Sequence, residues 1–155
     1  MLGQTLGHCR IEKQLGAGGM GVVYRAHDTR LDRTVAVKVI AETLQADPKA
    51  RARLIQEARA ASALNHPNIC TIYEVGEADD RLFIVMEYVE GRPLNAAVTP
   101  DQGLPAETLV RYGSQIAYAL AHAHERGVVH RDLKSANVIV TPEGQIGRAS
   151  CRERV

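Results

Sequence analysis

Apolar and polar positions along the chain fall into runs of two periods. Cys9–Leu15 and Val22–Arg25 read as short strands, joined by the glycine-rich turn Gly16-Ala17-Gly18-Gly19-Met20-Gly21. After the polar turn His27-Asp28-Thr29-Arg30, the run Thr34-Val35-Ala36-Val37-Lys38-Val39-Ile40 is a third strand pattern, with one lysine in a strongly apolar setting. Asp47-Pro48 marks a helix start, and Leu54, Ile55, Ala58, Ala61 and Leu64 then recur at helical spacing. Glu57 lies beside that stripe, so it is expected on the sheet side of the helix. His66-Pro67-Asn68 ends the helix, and His66 is expected to pack rather than to ligate. The runs 69–75 and 82–89, separated by the polar stretch 76–81, predict a hairpin. Periodicity stops at Glu90-Gly91-Arg92-Pro93-Leu94. A second helix follows from Leu104-Pro105 through Leu109, Tyr112, Ile116, Leu120 and Ala123 to Gly127, a plausible cap. Ala117, Ala119 and Ala121 widen its apolar stripe, as in a helix buried among others. The chain then enters Val128-Val129, a polar loop from His130 to Asn137, and the apolar run Val138-Ile139-Val140.

Composition narrows the class. A chain of 155 residues with 45% apolar and 24% charged positions can form an ordinary globular core, not a disordered or fibrous one. A net charge of +1 leaves no global footprint for nucleic acid or an anionic membrane. Cys9, Cys70 and Cys151 lack metal-ligand or CxxC spacing, and His122 and His124 point to different sides of their helix. The N-terminus lacks a signal-peptide pattern, and no apolar run approaches the roughly 20 residues that span a bilayer. A cytoplasmic portion without nucleic-acid or membrane contacts is expected.

The glycines match G-x-G-x-x-G, which alone has two meanings. In a dinucleotide-binding fold the motif opens a helix; here Val22-Val23-Tyr24 favours a strand, hence a hairpin whose tip lets N–H groups approach phosphates. In the loop His130-Arg131-Asp132-Leu133-Lys134-Ser135-Ala136-Asn137, a carboxylate could orient a hydroxyl and take its proton. A lysine two residues on could neutralise a phosphoryl group, and an amide five residues on could hold a metal ion.

This loop resembles the protein-kinase catalytic loop H-R-D-x-x-x-x-N, and its DLKSAN form resembles the serine/threonine-specific branch. Val35-Ala36-Val37-Lys38 likewise resembles the family's V-A-[IV]-K, in register after the glycine loop, and QEARAASALNHPNI resembles its third helix and following turn. The resemblance covers about residues 8–144 and is bacterial in style. It implies an α+β, kinase-like fold. Residues 8–90 would form a small lobe, a five-stranded antiparallel sheet with one helix, and 91–144 the first part of a helical large lobe.

The resemblance also implies ATP and Mg2+ as cofactors and a protein with a serine or threonine acceptor as partner. Asp132 would accept the hydroxyl proton, Lys134 would neutralise the γ-phosphoryl, and Asn137 would bind a magnesium ion. Lys38 would bind the α- and β-phosphates, held there by Glu57, beneath Gly16, Gly18 and Gly21. Leu15, Val23, Ala36, Met86 and Ile139 would belong to the nucleotide pocket. The carbonyl of Glu87 and the N–H of Val89 would meet adenine. Arg131 resembles the arginine of kinases switched on by activation-loop phosphorylation. The rival reading is a non-catalytic nucleotide-binding or interaction module, a pseudokinase; the presence of Lys38, Glu57, Asp132 and Asn137 weighs against it.

Where the family continues through a short strand into Asp-Phe-Gly, residues 145–155 read Gln-Ile-Gly-Arg-Ala-Ser-Cys-Arg-Glu-Arg-Val. This string resembles the translation of a sequencing-library adapter and is expected to be a non-native tail outside the fold. A polypeptide ending at residue 155 is then expected to be inactive alone and to expose apolar surface on its long helix.

Overall fold

The computed structural model describes residues 1–130 and 133–147. They fall into two compact units: Met1–Ala63 with Thr71–Tyr88, and Leu64–Cys70 with the chain from Val89 onward.

The first unit is an antiparallel sheet of β1 (Thr5–Leu6), β2 (Cys9–Gly18), β3 (Gly21–Asp28), β4 (Arg33–Ile40), β5 (Ile72–Ala78) and β6 (Arg81–Glu87), in the order β1-β2-β3-β4-β6-β5. The expected five strands are present, and β1 adds a sixth at the edge. Two residues carry no alternation to read; Leu6 is anchored by pairing with Cys9 and by burial. One face of the sheet collects Ile11, Tyr24, Ala26, Val35, Val37, Phe83 and Val85 into a core. The alternate residues Val23, Ala36, Lys38, Ile84 and Met86 are buried as well. Burial on both faces is why β4 and β6 read as continuous apolar runs rather than alternating ones.

Phe83, the only phenylalanine, sits where two glycines make room: a β-carbon on Gly76 would lie 2.5 Å from its ring, and one on Gly7 3.1 Å. Beyond β4, α1 (Glu42–Gln45) is a single turn whose Gln45 links two strand ends. Its amide donates to the Ile40 carbonyl at 2.6 Å and accepts from the Leu82 N–H at 2.7 Å. Helix α2 (Pro48–Ser62) starts as expected, with the Asp47 carboxylate capping the Lys49 N–H at 2.9 Å and Pro48 in its first turn. It buries Leu54, Ala58 and Ala61 and packs against β5.

Asp28 organises the turn between β3 and β4. Its buried carboxylate accepts from the Arg30 and Leu31 N–H groups at 3.0 and 3.1 Å and from Arg33 Nε at 3.4 Å; His8 Nε2 is 3.8 Å away. Burial raises its pKa, but the Leu31 and Arg30 donors, then His8 and Arg33, outweigh burial and hold it below the ordinary 3.8. Beside it the Cys9 thiol is pushed up to about 11 by burial, with Asp28 and Glu74 adding to the effect. It stays a protonated core residue.

The expected strand 69–75 begins later, at Ile72. Ile69 and Cys70 belong to the second unit, where the Ile69 N–H closes a turn onto the His66 carbonyl at 3.1 Å and Ile69 packs with Leu64, Ala119 and Ala123. At the other end β6 stops at Glu87, two residues short of the expected Val89, with its last pair to β4 at Val35↔Glu87.

The second unit contains β7 (Arg92–Pro93), α3 (Leu94–Ala97), α4 (Ala106–Glu125), a 3-10 turn Ser135–Asn137, β8 (Ile139–Val140) and β9 (Ile146–Gly147). β7, β8 and β9 form a small sheet in that order. Helix α4 ends in a paired C-terminal motif: the Gly127 N–H bonds the His124 carbonyl and the Val128 N–H bonds that of Ala123, with Gly127 at φ 74°. That left-handed residue ends the helix and turns the chain into Val128-Val129.

Two expectations change here. The long helix is not buried all round: Tyr112, Ala119 and Ala123 are buried, whereas Leu109, Val110 and Tyr118 are 59%, 68% and 70% exposed. Its apolar outer rows are exposed among the described residues, in line with the expected exposed surface. Residues 145–147, expected outside the fold, are part of it. Ile146 is 2% exposed and packs with Tyr112, Val138 and Val140. Its N–H donates to Gln115 Oε1 at 2.8 Å, and its carbonyl accepts from Asn68 Nδ2 at 2.7 Å. An isoleucine in that position fills the core whatever its origin. The remainder of the tail lies outside the described residues.

Candidate nucleotide-binding and phosphotransfer site

Each unit carries part of the predicted site. In the first, the β2–β3 hairpin is tighter than expected: the ladder runs to Gly18↔Gly21, leaving only Gly19-Met20 as the turn. Leu15 is half-buried at a register shift between Gln14 and Gly16. The glycines of the motif differ in what they do. Gly21 has φ 135°, and a β-carbon there would lie 2.0 Å from the Val39 carbonyl oxygen, so the fold itself requires glycine. A β-carbon at Gly16 would meet nothing within 4 Å. Packing does not demand glycine there, and the open backbone leaves room for a ligand to come close.

Register places the other predicted residues on one face. Val23 faces Lys38 across β3–β4; Ala36 faces Met86 and Lys38 faces Ile84 across β4–β6. Side chains two apart on a strand share a face, so Val23, Ala36, Lys38 and Met86 form one buried apolar surface with a single ammonium in it. Lys38 is 2% exposed. Glu57 is half-buried on α2, three residues after Leu54 and four before Ala61, hence along the buried stripe. Glu87, the last residue of β6, is half-buried and donates its N–H to the Thr71 carbonyl at 2.8 Å.

In the second unit the 3-10 turn brings Lys134 and Asn137 together: the Asn137 N–H bonds the Lys134 carbonyl at 2.9 Å. Lys134 is exposed, while Asn137 is 2% exposed, a buried amide at the mouth of β8. The next residue is fixed by the Leu94 N–H on the Val138 carbonyl at 2.7 Å. Ile139 follows on β8, paired with Pro93 and Gly147. Val89 is half-buried and lies against Gly147. Asp132 and Arg131 lie outside the described residues.

A family profile described as "Protein kinase domain" matches residues 9–147. The chain belongs to the protein kinase family. Among its curated relatives, serine/threonine-protein kinase pkn3 of Myxococcus xanthus is 44% identical over 143 residues, covering 91% of this chain and 26% of that protein. Serine/threonine-protein kinase PrkC of Bacillus subtilis is 42% identical over 140 residues, 90% of this chain and 22% of that protein. The chain thus spans about a quarter of the length of the curated kinases it matches. The crystal structure of the Mycobacterium tuberculosis PknI kinase domain superposes with a TM-score of 0.82 at 32% identity, covering 97% of this chain and 61% of that one.

Bacterial serine/threonine kinases are therefore its relatives, and the fold is kinase-like. The kinase hairpin, rather than a Rossmann turn, is the right meaning of the glycine motif. Sequence reasoning missed the polar scaffolding of the two units: Asp28, Gln45, Asn68 and Gln115 each fix a main-chain segment through a single side chain. Isolated polar residues of this kind follow no period and no motif. No helix among the described residues is long and apolar enough to cross a membrane.

Proposed function

We propose that this chain supplies the nucleotide-binding lobe and the catalytic loop of an enzyme that transfers the γ-phosphoryl group of ATP to serine or threonine hydroxyls of proteins. The observation that carries the reading is Lys38, buried on the same sheet face as Val23, Ala36 and Met86. Removing an ammonium from water costs several kcal/mol unless anions surround it, so this lysine is suited to an anionic ligand and an acidic partner. Glu57, on the buried stripe of α2, is assigned as that partner, holding the ammonium toward the α- and β-phosphates.

The remaining roles are those that the resemblance to protein kinases implies. Main-chain N–H groups of Gly16 and Gly18 approach the phosphates, with Gly21 keeping the hairpin on β4. Leu15, Val23, Ala36, Met86 and Ile139 contact the purine, while the Glu87 carbonyl and the Val89 N–H hydrogen-bond its edge. Asp132 orients the substrate hydroxyl and takes its proton. Lys134 neutralises charge on the transferred group, and Asn137 supplies an amide oxygen to magnesium. When bound, the metal screens phosphate charge; the protein's part is positioning and electrostatics, with no covalent bond of its own. A reaction that draws on ATP assigns this portion to the cytoplasm, with protein substrates as partners.

Calorimetric titration of residues 1–155 with ATP, with and without magnesium, tests the reading. Saturable binding is expected, weakened about ten-fold or more by Lys38→Met, the size expected for one charge-assisted contact. Equal affinity of Lys38→Met and wild type would overturn it.

A further inference from the structure

Arg25 pairs with Ala36 across β3–β4, and Ala36 pairs with Met86 across β4–β6. Residues two apart on a strand share a face, so Arg25 stands on the face of Val23, Ala36, Lys38 and Met86, at its exposed rim. Ala36, between β3 and β6, carries only a methyl group, which lets longer side chains approach each other across it. The Arg25 guanidinium lies 5.4 Å from the centre of the Tyr88 ring, within cation–π range. Tyr88 is the first residue past the end of β6, and it is half-buried. The Glu12 carboxylate lies 3.4 Å from Arg25 Nε. Glu12 is the extra residue at the register shift between Ile11 and Lys13, and a bulge of this kind re-aims a side chain.

We infer that Arg25 and Tyr88 are a positioning pair for base recognition: the guanidinium holds the Tyr88 ring, and the ring steadies the main chain on either side of it. This rests on the nucleotide-binding reading above, which assigns the Glu87 carbonyl and the Val89 N–H to the purine edge. Those two groups belong to the two peptide units that flank the Tyr88 α-carbon. Peptide units are planar, so φ and ψ of Tyr88 are the only soft rotations between acceptor and donor. A side chain anchored at its ring narrows those rotations before a base arrives, and less order has to be imposed on binding. Neither Arg25 nor Tyr88 has to touch the nucleotide for this. An exposed cation–π contact is a weak anchor, and a ligand gains no more from it than the contact itself supplies, about two- to five-fold in affinity.

The test is calorimetric titration of residues 1–155 with ATP and with inorganic tripolyphosphate, which has the phosphates and no base. Arg25→Gln and Tyr88→Leu should each weaken ATP about two- to five-fold and leave tripolyphosphate unchanged. Tyr88→Phe, which keeps the ring, should bind ATP as wild type does. Both single changes remove the same contact, so the double variant Arg25→Gln with Tyr88→Leu should weaken ATP no more than either alone. A merely structural role would lower the urea midpoint and leave the ATP affinity of the folded protein intact. Arg25 is exposed, so Arg25→Gln keeps the comparison available should Tyr88→Leu fail to fold. Unchanged ATP affinity in Arg25→Gln, additive losses in the double variant or a loss shared by tripolyphosphate would overturn the inference and leave the nucleotide site standing. A loss beyond about ten-fold would make Arg25 a nucleotide contact and overturn it as well. If wild type binds no ATP, the site reading itself fails.

Discussion

Replacing Gly21 and Gly16 separately by alanine divides the glycine motif into a part that the fold needs and a part that only a ligand needs. At Gly21 the new β-carbon would stand 2.0 Å from the Val39 carbonyl oxygen, 3.0 Å from the Val39 carbonyl carbon and 3.1 Å from the Ala41 nitrogen. Carbon–oxygen contacts normally sit at about 3.3 Å or beyond, so β3 and β4 must separate by roughly 1 Å at this point. All three atoms are backbone, and β4 is held on its far side by the Val39↔Phe83 pair, so no flexible side chain can yield. Holding a non-glycine residue at φ 135° adds about 1–3 kcal/mol of strain to about 1–3 kcal/mol of overpacking. The sum, about 2–6 kcal/mol, is a large share of the roughly 5–15 kcal/mol that holds a domain together. Gly16→Ala meets nothing within 4 Å, so stability should change by less than about 1 kcal/mol, upward if at all. Urea unfolding reads the difference: with a slope of about 1–3 kcal/mol per molar, Gly21→Ala should lose on the order of 2 M in midpoint and Gly16→Ala almost nothing. ATP affinity should show the reverse selectivity, with Gly16→Ala folded but weakened about ten-fold as its methyl takes space meant for phosphate. Equal midpoints for the two variants, or a Gly16→Ala protein less stable than Gly21→Ala, would refute the assignment.

Three further outcomes follow from the packing. Because the Asp28 carboxyl is held below its ordinary 3.8, it contributes stability that is fully present above that value and lost as pH falls through its lower folded value. Asp28→Asn should therefore be less stable than wild type at neutral pH and converge with it in acid unfolding curves; a constant gap across the acid range would sink the idea. Phe83→Ala should cost about 3–5 kcal/mol, because the ring fills the space left by Gly7 and Gly76, and a loss under about 1 kcal/mol by chemical denaturation would show that the space collapses. On α4, Leu109→Lys with Tyr118→Lys should shift stability by no more than about 0.5 kcal/mol per site and raise the concentration at which light scattering detects association. A marked fall in melting temperature would mean instead that these side chains are packed.

How far the sequence could be read depended on what each feature rests on. Glycines, a lysine inside an apolar strand and the loop from His130 to Asn137 are chemistry at fixed spacing, and register along β3, β4 and β6 puts Lys38 on one buried face with Val23, Ala36 and Met86. Elements held by period were legible too, α2 and α4 above all. What stayed hidden depends on contacts between positions far apart in sequence. Ile69 looks like the start of a strand, yet it packs with the long helix 50 residues on, through Ala119 and Ala123, where its N–H closes a turn onto His66. Ile146 looked foreign by its neighbours in sequence and is nonetheless core, since Gln115 and Asn68 satisfy its main chain and Tyr112 covers its side chain. The same reasoning applies to Glu87. Its place on the strand was readable from the motif register, but neither the strand's end there nor its carboxylate's hold on Thr71 was, because that bond spans 16 positions and follows no period. Motif spacing locates the groups that could touch a nucleotide; polar contacts between positions far apart in sequence, such as those of Asn68 and Gln115 with Ile146, hold main-chain segments that no motif marks.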